Sequence, residues 1–158
     1  MATDNDVLRS SIRRLTLFLG VLQLTLGCVV GFIPPTAVEW FRGIVASHIG
    51  YTANGVLMIA FGFLVGEMRL GSRTLKVWFA TLQLGTWTNG TAGLVGAFLG
   101  YSSKLMPTIN EKFPAPKGAD HPAVSGLLQL CGVTIIICLL LTLFGLLRAR
   151  STETASAT

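Results

Sequence analysis

In SHIGYTANG, residues 47–55, a histidine and an asparagine stand inside an otherwise apolar run. An imidazole can act as a neutral metal ligand or move a proton near neutral pH, and His48 is the one side chain of that kind inside the apolar runs. No Asp, Glu, Lys or Arg shares them. A second polar group, Gln83, Thr86, Thr88, Asn89 and Thr91, surrounds Trp87 in a later run. Polar side chains at membrane depth either find partners or line a cavity. His48, Thr52 and Gly55 share one helical face, whereas Asn54 is turned roughly a third of a turn away. One ligand meeting both His48 and Asn54 must therefore be broad and flat, or lie at a subunit interface. A zinc site lacks ligands, a general base lacks an orienting carboxylate, and a two-histidine haem lacks its second histidine. A haem with one axial histidine and an open opposite position is the metal site this inventory permits. The structural alternatives are a His48 ring hydrogen-bonded to a carbonyl near a helix end, and asparagines serving as interhelical ties. His121, in GADHP, reads as an exposed loop histidine.

The elements that must position these residues are apolar helices. Of 158 residues, 51% are hydrophobic and 12% charged, against roughly a quarter charged in a soluble domain. Four runs reach the length needed to span a bilayer: 15–33, 46–65, 77–99 and 123–147. A backbone in hydrocarbon must satisfy its own hydrogen bonds, so the expected fold is all-α, a single membrane domain built as a four-transmembrane-helix bundle. The first run lacks a small-residue exit and is expected to stay in the mature protein. Pro34 and Pro35 should stop the first helix. The Pro-rich segment 101–122 reads as a long extramembrane loop able to cap a site, and residues 151–158 as a disordered tail.

The basic residues set an orientation. Arg9, Arg13, Arg14, Arg69, Arg73, Lys76, Arg148 and Arg150 flank the spans on one side, against Arg42, Lys104, Lys112 and Lys117 on the other. The positive-inside bias places both termini in the cytoplasm. Charges outside the spans read as topology signals and lipid contacts, not as a nucleic-acid surface. Cys28, Cys131 and Cys138 form no CxxC pair and read as small membrane-core residues. Glycine pairs four apart, Gly27/Gly31, Gly62/Gly66 and Gly96/Gly100, suggest close helix approach and self-association. Gly85, Asn89, Gly93 and Ala97 form a further stripe, whose glycines should leave a groove beside the Asn89 amide.

H-x5-N-G at His48 to Gly55, followed by G-T-W-T-N at Gly85 to Asn89, resembles the small four-helix membrane isomerases that include styrene oxide isomerase and hydroxylaminobenzene mutase. The resemblance is clearest over 48–93. It implies a homotrimer with haem b at subunit interfaces, His48 ligating iron, and Asn54 facing the open side with Asn89. Its implied chemistry is redox-neutral: ferric iron acts as a Lewis acid on an apolar aromatic substrate. The product arises either by epoxide opening with a 1,2-shift to a carbonyl, or by rearrangement of an N-hydroxyarylamine to an aminophenol. The epoxide isomerases carry an acidic residue where this chain has Gly85 and a tyrosine where it has Gly93. That leaves Thr86 as the nearby polar candidate, makes G-T-aromatic-x-N more like the mutase branch, and suggests an enlarged pocket. The competing readings are a non-enzymatic four-span scaffold and a haem carrier or sensor.

Overall fold

A computed structural model describes the backbone of residues 4–156 and the side chains of residues 5–149. All its regular elements are helical: α1 Asp4–Val30, a 3-10 turn Pro35–Ala37, α2 Phe41–Leu64, α3 Ser72–Leu99, a short α4 Pro107–Lys112, and α5 Pro122–Ser156. Asn5–Val30, Phe41–Leu64 and Pro122–Ala149 are long and apolar enough to cross a bilayer. The fourth expected span, within α3, has the length but not the same apolarity. Its glutamine, asparagine and threonines lower its hydropathy, and two of them, Thr86 and Thr91, meet side chains of α2.

The long helices form a row. α1 lies along α2, α2 along α3, and α3 along α5, with only a slight touch of α1 on α3. The principal core runs through Met58, Phe61, Val65, Met68, Leu75, Trp78, Leu82 and Cys138. The Trp78 indole N–H donates to Thr142 Oγ1 at 2.8 Å, tying α3 to α5. At the charged end, Arg9 donates to the carbonyls of Val65, Met68 and Leu70. One α1 side chain thereby satisfies carbonyls that the end of α2 leaves without intrahelical partners.

The boundaries differ from the sequence reading in instructive ways. α1 ends at Val30, before the prolines, because residues 31–33 already close into tight turns on the carbonyls of Cys28, Val29 and Val30. The stretch read as a disordered tail is helical as a continuation of α5 as far as Ser156, and residues 157 and 158 lie outside the described range. Segment 101–122 is built rather than loose. Asn110 Nδ2 donates to the Ser103 carbonyl at 2.8 Å, Trp40 Nε1 to the Phe113 carbonyl at 3.2 Å, and Arg42 stacks over the Phe113 ring at 3.5 Å. His121 is half-buried, packs on Tyr101, and its Nδ1 accepts the Ala123 N–H at 3.3 Å at the start of α5.

The closest backbone approaches follow only single members of the glycine pairs four apart, such as Gly27 against Thr52 N. Between α2 and α3 they fall at Gly43 and Gly93: a Cβ on Gly43 would stand 2.6 Å from Ala97 N and 2.7 Å from Gly93 O. Gly66 meets nothing within 4 Å, and Gly100 ends α3 in the left-handed region at φ 77°. Gly43→Ala should therefore force α2 off α3 and destabilise by roughly 1–3 kcal/mol. Thermal denaturation in detergent should give a clearly lower midpoint for Gly43→Ala and an unchanged one for Gly66→Ala.

Candidate functional site

α1 and α2 touch closely where Gly27 faces Thr52, as they do where Gly55 faces Leu24. A Cβ on Gly27 would stand 2.7 Å from Thr52 Cγ2 and 2.8 Å from Thr52 N, so only glycine admits this approach. It brings the His48 ring to the last turn of α1, where carbonyls run short of intrahelical donors. His48 Nδ1 lies 2.7 Å from the Gly27 carbonyl. A carbonyl only accepts, so Nδ1 carries the proton, and of the two neutral tautomers this contact selects the one with its lone pair on Nε2. Nε2 has no protein partner among the described residues. The ring borders a groove of about 370 Å³ lined otherwise by Cys28, Gly31, Phe32, Phe41, Ile44 and Val45. Apart from His48 the lining is apolar or weakly polar, and it opens on the outer face of the α1–α2 pair.

The residue set fits a haem with a single protein ligand. A carbonyl-anchored histidine with its second nitrogen free is the usual arrangement of a metal-ligating imidazole, because the outer hydrogen bond fixes the tautomer and raises basicity. Aliphatic and aromatic side chains beside it suit a flat apolar macrocycle. Among the described residues no cluster of three or more His, Cys, Asp or Glu side chains is poised to hold a bare metal ion.

Asn54 faces elsewhere. Its Nδ2 donates to the Thr86 carbonyl on α3 at 3.1 Å, and the same carbonyl takes Gln23 Nε2 from α1 at 2.8 Å. His48 thus looks toward α1 and Asn54 toward α3, and within one chain they do not border a common groove. The Thr86 side chain is fully enclosed, its hydroxyl donating to the Leu82 carbonyl at 2.8 Å with Met58 Sδ at 3.2 Å. Asn89 is half-buried, its amide near Gly50 of α2.

The pocket enlargement expected from Gly85 and Gly93 is absent. A Cβ on Gly85 would stand 2.5 Å from Ile135 Cγ1 of α5, and one on Gly93 2.7 Å from Ser47 N of α2. Both positions are closed by neighbouring helices, so the stripe from Gly85 to Ala97 is a packing surface and not a groove.

These features sit in a chain that matches the styrene oxide isomerase family model over residues 12–147. The chain belongs to the styrene oxide isomerase family. It is also 28% identical over 148 residues to the hydroxylaminobenzene mutase HabB of Ectopseudomonas oleovorans, covering 92% of this chain and 88% of that protein. Within the family the chain sides with the mutase branch, as G-T-W-T-N suggests. No solved structure matches. Membership of this family and three apolar helices make it an integral membrane isomerase or mutase.

Sequence reasoning missed Gln23 and gave Tyr51, one of the polar residues at the start of the second span, no partner. Gln23 is fully enclosed, and an amide amid the apolar run VLQLTLG is itself a costly placement that could have marked it. Tyr51 donates to or accepts from Thr91 Oγ1 at 2.9 Å and meets Trp87 edge-on at 6.0 Å. Because Gln23 and Asn54 share one acceptor, losing either leaves the Thr86 carbonyl satisfied. Asn54→Leu should cost only about 1 kcal/mol of stability, read as a small drop in thermal midpoint with helicity unchanged by circular dichroism.

Proposed function

We propose that this chain is a haem-dependent mutase that rearranges an N-hydroxyarylamine to an aminophenol within the membrane. The single observation that carries this reading is the His48 ring, anchored by Gly27 through Nδ1 and left with a free Nε2 beside an apolar groove. His48 is the residue that would hold haem b. When bound, the haem supplies a Lewis acid for a substrate oxygen, worth several kcal/mol in a dry, low-dielectric site.

The protein's own contribution is orientation and exclusion of water. Phe32, Phe41, Ile44 and Val45 keep the groove dry, which protects an electron-poor aromatic centre from hydrolysis. The Gly27 carbonyl holds the ring by its hydrogen bond, and Gly31 packs directly against it. Asn54 and Asn89 are assigned to the substrate side, and Thr86 acts through its backbone carbonyl by fixing the Asn54 amide. His48 and Asn54 face different neighbours, so the substrate space is completed across subunits. A homotrimer with its haems between chains satisfies that requirement and covers the exposed apolar side chains Phe18 and Val29 of α1 and Phe32 just beyond it. α3 then serves as a fourth span shielded from lipid, with both termini in the cytoplasm as the basic residues direct. An apolar aromatic substrate enters from the bilayer.

Epoxide isomerisation is the second reading, since the family model bears that name. The mutase reading is favoured by the similarity to HabB and by glycine at 85 and 93, where the epoxide branch carries polar groups.

Protein purified in detergent should show a Soret band. His48→Ala should lose both the band and arylhydroxylamine turnover while eluting at the same size. In Gly31→Ala the new Cβ would stand 2.9 Å from His48 Nδ1, and haem retention should weaken on the order of tenfold, as for other changes that disturb a ligand's surroundings. Full turnover by a haem-free variant would refute the proposal.

A further inference from the structure

Two buried amide atoms in the Thr86 layer have no hydrogen-bond partner: Gln23 Oε1 and Gln83 Nε2. One is an acceptor and the other a donor. Re-reading either amide in its flipped orientation does not help. Gln83 Oε1 must accept the Trp87 indole N–H at 3.1 Å, and Gln23 Nε2 must donate to the Thr86 carbonyl at 2.8 Å. Both orientations are therefore fixed by groups that can play only one role. Gln83 lies one turn before Thr86 on α3, and Gln23 reaches the Thr86 carbonyl from α1, so both amides stand within about one helical turn of that carbonyl. A buried polar atom left unpaired costs roughly 1–3 kcal/mol, and two complementary ones in one layer are cheaply satisfied by a single group that accepts once and donates once.

We infer that the Gln23–Gln83 layer between α1 and α3 is a binding site for one O–H group, which accepts from Gln83 Nε2 and donates to Gln23 Oε1. Water at a polar buried site typically makes two to four such bonds. The same geometry takes the hydroxyl of a phenol, with Trp87 and Tyr51 supplying aromatic surface beside it. The first source is independent of the function proposed above, whereas the second rests on it. In either case the O–H group closes α1 onto α3, which otherwise barely touch, and holds Gln23 on the carbonyl it shares with Asn54.

The test is a pair of cryo-electron-microscopy maps of the full chain at a resolution that reveals ordered waters, one of the resting protein and one with added phenol. Density bridging both amides in the resting map identifies a resident water. Density only in the phenol map identifies a phenolic hydroxyl. A double-mutant cycle supplies a second readout. Gln23→Met and Gln83→Met should each lower the thermal midpoint, and the double variant should lose clearly less than the two shifts added, because the second change removes a partner already stranded. Additive shifts, or no density in either map, would overturn the inference. Neither readout uses turnover, so a failed function assignment leaves the water arm intact.

Discussion

The site depends on how closely α1 can lie against α2 at Gly27. A side chain there would collide with Thr52, and without the contact the Gly27 carbonyl would not meet His48 at 2.7 Å. That hydrogen bond decides which imidazole nitrogen keeps a lone pair, and so whether the ring can serve as a ligand at all. Its acceptor is available because α1 ends three residues later, where the Gly31 N–H reaches Gly27 O only at 3.2 Å while also approaching Cys28 O. Helix end, glycine contact and histidine tautomer are one coupled arrangement.

A second coupled arrangement holds the middle of the chain. The Thr86 carbonyl receives amides from both α1 and α2, and Ser47 Oγ donates to the Gly90 carbonyl at 2.8 Å one turn further along α3. In hydrocarbon, where apolar side chains gain little by leaving lipid, such ties and close backbone packing are what order helices. Carrying these acceptors and the small residues opposite α2 keeps α3 from being as continuously apolar as the three helices able to cross a bilayer.

Much of this was legible in the sequence. The helical class follows from long apolar runs, His48 stands out as a residue type that is costly in a membrane, and the family follows from two short motifs. The contact partners were not legible. Gly85 and Gly93 looked like room beside Asn89, yet both face neighbouring backbones or side chains, because a missing Cβ can mean either a cavity or a close approach. Spacing within one helix does not distinguish these. Asn54 was likewise read correctly as turned away from His48, but its acceptor lies 32 residues on, in another helix. Segment 101–122 hid its order because its ties, such as Trp40 to Phe113, cross 73 residues.

In the proposed site a single carbonyl-anchored imidazole, His48, would hold the haem and leave the opposite face open. Electron paramagnetic resonance of the purified protein, grown with isotope-labelled histidine, reads this directly. The account predicts high-spin ferric haem with hyperfine coupling to one histidine nitrogen, lost in His48→Ala. A low-spin signal from two strong axial ligands, or a coupling unchanged in His48→Ala, would contradict it.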